Sequence, residues 1–400
     1  MSKKVYVTGI GIISAIGNNA HETIHSIKEG KSGIGVLNHI STKHKNDIVV
    51  GEVKSSNEEL KKIGGISDSK IYSRTSLLGI IAAKEAITDA GINNIKECST
   101  GIISATSVGG MGIIEDLYLD YLNPDNKGKY SEYVDTNECG DSTEKIADHL
   151  GIKDYVSTIS TACSSSANSI MFGARLIKHG LLDRVIVGGT DSLSRFTING
   201  FISLKLLDRE ICKPFDAERK GLNLGEGAGF IVLESEKTSE DKKRLCELSG
   251  YGNSNDAFHQ TGSSPEGTGA YAAMKKALTV SGIEPDKIDY INAHGTGTEQ
   301  NDLSEGIAIE RLFWKNVPCI SSTKAFTGHT LGASGGIEAV LSVLSIRHNM
   351  IYPSLNFHNP MPELGFIPEK KIITVNPVCN VLSNSFGFGG NTSALIFSRT

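Results

Sequence analysis

At 400 residues, with 39% hydrophobic and 21% charged residues, the chain has the balance of a globular protein with ample material for a buried core. The formal net charge of −5 excludes the chain as a whole as a polyanion binder, so any basic docking patch must be local. Seven scattered cysteines with no CxxC pair argue against a disulfide framework or a zinc site and for a reducing compartment, the cytoplasm.

The chain opens MSKKVYVTGIGIISAIG, two lysines ahead of an apolar run. This imitates a secretory leader, but Thr8, Gly9 and Gly11 interrupt it and no small-x-small cleavage site follows. It reads as a first strand over residues 5–13 and a glycine turn. GIGIIS does not fit the GxGxxG dinucleotide loop. No apolar run reaches the roughly 18 residues of a membrane span. Residues 76–90 have helical spacing, with Leu77, Ile80, Ile81, Lys84 and Ile87 tracing one face and Gly91 placed to end the helix.

Further strands are predicted over residues 101–106, leading into SVGGMG, and 185–187, leading into GGTD. Three more are predicted over residues 227–233, over 288–293 ending at HGTGT, and over 379–384 ending at SFGFGGN. Strands alternating with helical stretches predict an α/β fold with a largely buried sheet. The charged stretch 234–247 reads as a solvated linker, and as a seam between two similar halves, residues 1–245 and 246–400.

TISTACSSSAN, residues 158–168, runs from a β-favouring stretch into one thiol, and Ala167, Ile170, Met171, Ala174 and Ile177 then follow helical spacing. Cys163 is therefore predicted at a helix N-terminus, where free N–H groups and the helix dipole favour a thiolate. A lone cysteine is most often inert core, and its company decides the matter. His294, in NAHGTGT, and His329, in STKAFTGH, both follow strand-like runs and sit among Gly and Thr. Lys324 precedes His329, and Glu338 on the next helix can pair with that lysine; the alternative is an ordinary surface ion pair. In NSFGFGGN, backbone N–H groups of a flexible turn can face an oxyanion, with Phe388 closing a pocket. Other motif matches fail. GASGG, containing Ser334, matches a nucleophile elbow but lacks a preceding strand, and SSTK lacks the partner motifs of an SxxK enzyme. No basic-aromatic nucleic-acid face is present.

The ordered set VTGIGIISAIG, STACSSS, KPFDAERKGLNLGEGAG, NSNDAFHQT, NAHGTGT, STKAFTGH and SFGFGGN resembles the β-ketoacyl-acyl carrier protein synthases, the elongating condensing enzymes of the thiolase superfamily. The cysteine–histidine–histidine set separates it from thiolases and from initiating synthases. The resemblance spans essentially the whole chain. It implies a thiolase fold, five layers αβαβα built from two similar halves, usually paired as dimers. It makes Cys163 the acylated nucleophile, His294 and His329 the decarboxylation pair, and Lys324 and Glu338 their support. Phe388 becomes the gate, and the N–H groups of Cys163 and Phe388 the oxyanion hole. Thr296 and Thr298 would hold the phosphopantetheine arm, with Gly387 and Gly389 beside it.

The implied substrates ride on acyl carrier protein, and no metal or redox cofactor is implied. Lys61, Lys62, Lys70, Arg74 and Lys205 are candidates for docking that acidic partner. Residues 109–111, Phe201 and a partner subunit are expected to line the acyl pocket. CSSS, HGTGT, the Ala325–Phe326 pair and the order Asn391–Thr392 depart from the common fatty acid pattern. They leave open a fatty acid, polyketide or polyene product, from a stand-alone type II enzyme working as a homodimer or as half of a heterodimer. Two competing readings are a silent chain-length subunit, which would lack the cysteine, and a serine hydrolase using Ser334.

Overall fold

The computed structural model describes residues 4–67, 70–125, 128, 130–314 and 316–400. The first half runs β1 (Val5–Ser14), α1 (Ala20–Lys28), α2 (Asn57–Gly64), α3 (Arg74–Asp89), β2 (Thr100–Ala105), α4 (Met111–Leu122), α5 (Ser131–Val134) and α6 (Cys139–Leu150). It continues through β3 (Tyr155–Ile159), α7 (Ser165–Lys178), β4 (Arg184–Asp191), α8 (Arg195–Ser203) and β5 (Gly227–Ser235). The second half runs β6 (Cys246–Asn255), α9 (Thr268–Ser281), β7 (Tyr290–Asn292), α10 (Glu299–Phe313), β8 (Cys319–Ser321), α11 (Lys324–Thr327) and α12 (Ser334–His348). A small hairpin of β9 (Met350–Ile351) and β10 (Ile373–Thr374) precedes β11 (Asn380–Phe386) and β12 (Asn391–Ser398).

The main strands lie in the order β3-β2-β4-β5-β1-β6-β12-β11-β7-β8. Across β1 and β6 the pairing is limited to Tyr6 with Glu247 and Val7 with Cys246, so this is two five-stranded sheets meeting at a short seam. The two have one topology. In the first, β1–β5 and β5–β4 are antiparallel while β4–β2 and β2–β3 are parallel. In the second, β6–β12 and β12–β11 are antiparallel while β11–β7 and β7–β8 are parallel.

The layering follows from side-chain alternation. Successive residues of a strand point to opposite faces, so a strand apolar at every position must be covered on both sides. Along β5, Ile231 and Leu233 enter the central core with α7 and α12, while Phe230 and Val232 face Leu77, Ile80 and Ala83 of α3. Along β12, Leu395 and Phe397 enter that same central core, while Ala394 and Ile396 face Ala273, Met274 and Ala277 of α9. The result is α–β–α–β–α, the five-layer arrangement that the resemblance implies.

The glycines of the first strand now have a structural reason. A Cβ on Gly9 would lie 2.2 Å from the Ala86 carbonyl oxygen, and one on Gly11 2.0 Å from that of Ala82, so β1 and α3 touch backbone to backbone. In the second half, Cβ atoms on Gly250 and Gly252 would lie 2.4 and 2.1 Å from the carbonyl oxygens of Ala277 and Ala273 in α9. The same G-x-G spacing therefore marks equivalent strands.

Two sequence expectations need correction. Lys84 does not share the apolar face of α3; it is exposed and its ammonium donates to the Gly64 carbonyl. The stretch 234–247 is not wholly solvated, because Glu234, the penultimate residue of β5, is fully buried, 2.7 Å from the buried Arg184 and 2.8 Å from Lys242. Arg184 is also ion-paired with Glu97 at 2.5 Å, so the two carboxylates together compensate a fully buried guanidinium. Among the described residues, no helix is long and apolar enough to cross a membrane.

Candidate active site

Cys163 sits between β3 and α7, at the point where the chain reverses. The reversal is held by Ala162 at φ 53° and by the Thr161 N–H donating to Ser165 Oγ at 2.8 Å. An alanine in the left-handed region is uncommon, and such strain concentrates where geometry matters. The thiol is buried, and burial pushes its pKa up to about 12. The Lys324 charge and the backbone N–H groups of Phe388 and of Cys163 itself act in the opposite direction. The expectation of a resting thiolate is thus overturned: loss of water outweighs the donors, and the resting group is a thiol.

An imidazole is adjacent. His329 Nε2 lies 3.0 Å from Cys163 Sγ. His294 stands edge-on to His329, their ring centroids 5.3 Å apart at 86°. The histidines come from equivalent strand ends: His294 follows β7 and His329 follows β8 through α11. Burial, and next the Lys324 charge, hold both imidazoles well below the ordinary histidine range, so both are neutral. Lys324 Nζ sits 3.3 Å from His294 Nδ1 and also donates to the His294 carbonyl. An ammonium has only donors, so Nδ1 of His294 accepts and its Nε2 carries the hydrogen. Lys324 is ion-paired with Glu338, whose carboxyl burial pushes above the usual range. Their side chains are 1% and 3% exposed, so this is no ordinary surface pair.

Cys163, His294 and His329 line one cavity of about 530 Å3, together with Thr296, Thr298, Phe386, Gly387 and Phe388. Thr296 and Thr298 hydroxyls lie 2.9 Å apart on its wall. Phe388 stacks on Phe201 of α8, centroids 5.7 Å apart and 19° from parallel. The turn beneath it needs Gly389, whose φ of 79° disfavours any side chain. Lys205 lines the cavity, whereas Arg74 is mostly covered and its guanidinium is ion-paired with Glu226 at 2.7 Å. Lys61 and Lys70 are surface residues paired with Glu58 and Asp148 at 3.1 Å each. Of the expected acyl-pocket residues, Phe201 lines this cavity, whereas Gly110 lines a separate one of about 280 Å3 with Arg74 and Arg195.

Ser334 is not an exposed nucleophile. It opens α12 after a 3-10 turn (Leu331–Ala333) instead of a strand, is 2% exposed, and contacts His329 Nδ1 at 3.2 Å. Among the described residues, no group of three or more His, Cys, Asp or Glu is arranged to hold a metal ion.

Several supporting residues escaped the sequence reading. Glu305 accepts the backbone N–H groups of His294 and Gly295 at 2.9 and 2.8 Å, and Asp302 accepts those of Gly297 and Phe215 at 3.1 and 2.7 Å. Two acids three apart, just beyond a glycine loop, were the available signal. Asp191, at the end of GGTD, accepts N–H groups from Ser107 and Gly332 at 2.9 and 2.7 Å, joining the loop after β2 to the His329 turn. Asn391 Oδ1 collects donors from Ser164, Asn168 and Asn253 at 2.7, 2.8 and 2.9 Å, tying the Phe388 turn to the nucleophile's helix.

The comparisons with known proteins agree with this geometry. The family model for "Beta-ketoacyl synthase, N-terminal domain" matches residues 2–239, and that for "Beta-ketoacyl synthase, C-terminal domain" matches residues 245–358. The chain is 33% identical to the 3-oxoacyl-[acyl-carrier-protein] synthase 2 of Staphylococcus aureus (strain N315), over 100% of this chain and 99% of that one. It superposes on the ishigamide ketosynthase/chain length factor with a TM-score of 0.92 at 28% identity, covering 100% of both chains. A type II PKS acyl-carrier protein in complex with its ketosynthase gives 0.88 at 26%, again covering 100% of both. The buried cysteine–histidine–histidine pocket and these full-length matches lead to one assignment: the chain belongs to the beta-ketoacyl synthase family.

Proposed function

We propose that this chain catalyses the decarboxylative Claisen condensation of malonyl-acyl carrier protein with a Cys163-bound acyl group. The product is a 3-oxoacyl-acyl carrier protein two carbons longer. The observation that carries the reading is the 3.0 Å approach of His329 Nε2 to Cys163 Sγ, with His294 edge-on beside it in one cavity.

Cys163 attacks the acyl thioester as its proton passes to His329 Nε2; the Sγ–C bond forms, the carrier's S–C bond breaks, and the departing carrier thiolate takes that proton from His329 and leaves as the thiol. The N–H groups of Cys163 and Phe388 meet the tetrahedral oxyanion, a contribution worth about 10²–10³ in rate per donor in a studied protease. Malonyl-acyl carrier protein then enters the vacated cavity and loses its carboxylate as CO2. The enolate oxygen takes hydrogen bonds from the Nε2–H groups of His294 and His329. The enolate carbon attacks the acyl-Cys163 carbonyl, and the thiol is released. Lys324 holds the His294 tautomer, and Glu338 balances Lys324. Thr296 and Thr298 guide the phosphopantetheine arm, and Phe388 stacked on Phe201 closes the cavity between substrates. The chemistry draws only on these side chains and on carrier-bound thioesters.

The partner that fits is an acidic acyl carrier protein, docking at Lys205 and the cavity mouth. A second condensing-enzyme chain completes the assembly, as a homodimer or as a chain length factor. The test is incubation with malonyl-acyl carrier protein and a panel of acyl primers, with product masses read directly. A product two carbons longer, lost in Cys163→Ala, supports the reading, and the preferred primer assigns the pathway. Product formation undiminished in Cys163→Ala, or a trapped acyl group mapping to Cys319, overturns it.

A further inference from the structure

Two departures from the common fatty acid pattern, the serines after Cys163 and the order Asn391–Thr392, touch each other in the fold. Ser164 Oγ lies 2.7 Å from Asn391 Oδ1, across 227 positions of chain. The same oxygen accepts Asn168 Nδ2 of α7 at 2.8 Å and Asn253 Nδ2 of β6 at 2.9 Å. Asn253 Nδ2 also faces the Thr392 carbonyl at 3.2 Å, so it is a donor and the Asn391 atom it meets is an acceptor. The contacts run on to the start of the nucleophile's turn. Asn168 Nδ2 reaches Thr161 Oγ1 at 2.9 Å, and Ser164 Oγ reaches the Thr161 carbonyl at 2.8 Å. Ser164 and Asn168 are buried.

On its other side Asn391 closes the Phe388 turn, its carbonyl accepting the Gly387 N–H at 2.8 Å. Gly389 and Gly390 sit at φ 79° and 80°, and a Cβ on Gly389 would meet nothing within 4 Å, so packing does not hold that part of the turn. At the near end, a Cβ on Gly387 would stand 2.7 Å from the Thr161 carbonyl oxygen and 3.1 Å from the Cys163 nitrogen, so the two turns abut. The oxyanion donors of the condensing reading come one from each turn, the Cys163 N–H and the Phe388 N–H. Such donors work over a window of about 2.7–3.1 Å, so the spacing of the turns has to be set by something stiffer than glycine.

We infer that Asn391 is a positioning residue for acyl transfer: its amide oxygen anchors the Phe388 turn to Ser164 and Asn168, and so sets the spacing of the two backbone donors that meet the oxyanion. This deepens the condensing reading and rests on it. Asn391 acts through the backbone of the two turns and not on the substrate itself.

The test loads Cys163 of the whole protein without a carrier and reads the donors directly. S-phenyl thioacetate, isotopically labelled at its carbonyl carbon, supplies the acetyl group. Peptide mass locates the label on Cys163, and the spectrum of Cys163→Ala subtracts the other cysteines. The infrared band of the thioester carbonyl drops as hydrogen bonds to its oxygen strengthen. Asn391→Leu keeps the branched shape, removes the amide, and is expected to raise the band towards that of a free thioester. Its kcat with carrier-bound substrates is expected to fall about tenfold to hundredfold with KM little changed, short of the about 10²–10³ that loss of a whole donor costs. Asn168→Ala removes one donor from the same oxygen and leaves the turn's sequence intact. It is expected to move the band the same way by less, and it carries the test if the leucine variant does not fold. Gly9→Ala, whose Cβ would stand 2.2 Å from the Ala86 carbonyl oxygen, strains the fold at β1 and α3 and is expected to leave the band in place. An unmoved band in the Asn391 and Asn168 variants overturns the inference. So does an equal rise in Gly9→Ala, because general loosening would then be the cause, or a raised KM with kcat unchanged. Primer turnover by the wild-type protein is measured alongside. Absent turnover with a band that moves as expected removes the condensing reading and leaves the anchoring in place; normal turnover with an unmoved band removes the anchoring alone. A wild-type protein that takes no acetyl on Cys163 overturns both.

Discussion

His329 Nε2 lies 3.0 Å from Cys163 Sγ, although the two residues are 166 positions apart in the chain. The pair forms because α7 and α12, the helices that follow these residues, pack against each other in the central layer between the two sheets. The chain segments leading into these helices meet there and bring thiol and imidazole together without any local sequence contact.

His294→Ala separates the half-reactions. In the proposed mechanism His294 donates an N–H to the enolate and takes no part in thiol attack, so Cys163 acylation is expected to persist. Malonyl decarboxylation is expected to fall by about 10²–10³, the cost of one oxyanion-type donor. Carbon dioxide release and acyl-enzyme mass measure the two separately; equal losses in both would count against the assigned role.

Removing one member of the Lys324–Glu338 pair leaves a buried, uncompensated charge. Lys324→Met is expected to lower stability by about 3–5 kcal/mol, and Lys324→Met with Glu338→Leu by clearly less. Denaturant unfolding of both variants measures the difference, and a double variant that is worse than the single would refute it.

Glu305 carries a pH signature. Burial raises its pKa from 4.5 to about 7, against the backbone donors of Gly295 and His294 and the side chain of Asn384. Between these values the folded state binds more protons than the unfolded one, so this residue makes stability fall as pH rises from about 4.5 to about 7. The expected loss is about 3 kcal/mol at about 1.4 kcal/mol per unit, fully developed above pH 7. Glu305→Gln should flatten that part of the stability curve. Unfolding midpoints across the range test this, and an unchanged slope would show that Glu305 does not titrate there.

Gly252→Ala tests the helix–strand contact. Its Cβ would meet the Ala273 carbonyl oxygen at 2.1 Å, which α9 cannot yield without moving its backbone. A loss of about 1–3 kcal/mol or more is expected. Gly140→Ala, on α6 with nothing within 4 Å, serves as the control and is expected to stabilise by up to about 1 kcal/mol. Thermal unfolding of both resolves the contrast.

Much of the chemistry was legible in the sequence because it rests on local patterns. A strand running into a cysteine and a helical period, glycine turns around two histidines, and a Gly-Phe-Gly turn are all short-range signals. Glu305 and Asp191 were not legible as supports, because an acid on a helix or at a strand end looks the same whether it faces water or a backbone N–H. Ser334 was read as a failed nucleophile motif, since its partner, the far nitrogen of His329, becomes its neighbour only when the turn folds.

By itself the sequence determined the alternation of strands and helices, singled out Cys163, His294 and His329, which the fold brings into one cavity, and gave the family they resemble. Tertiary structure alone decided the ionisation states. A helix N-terminus favours a thiolate, but burial pushes Cys163 to about 12 and keeps both histidines neutral. The physical reason is that patterning is written in residue type and spacing, whereas the cost of charge depends on how much water the finished layers exclude.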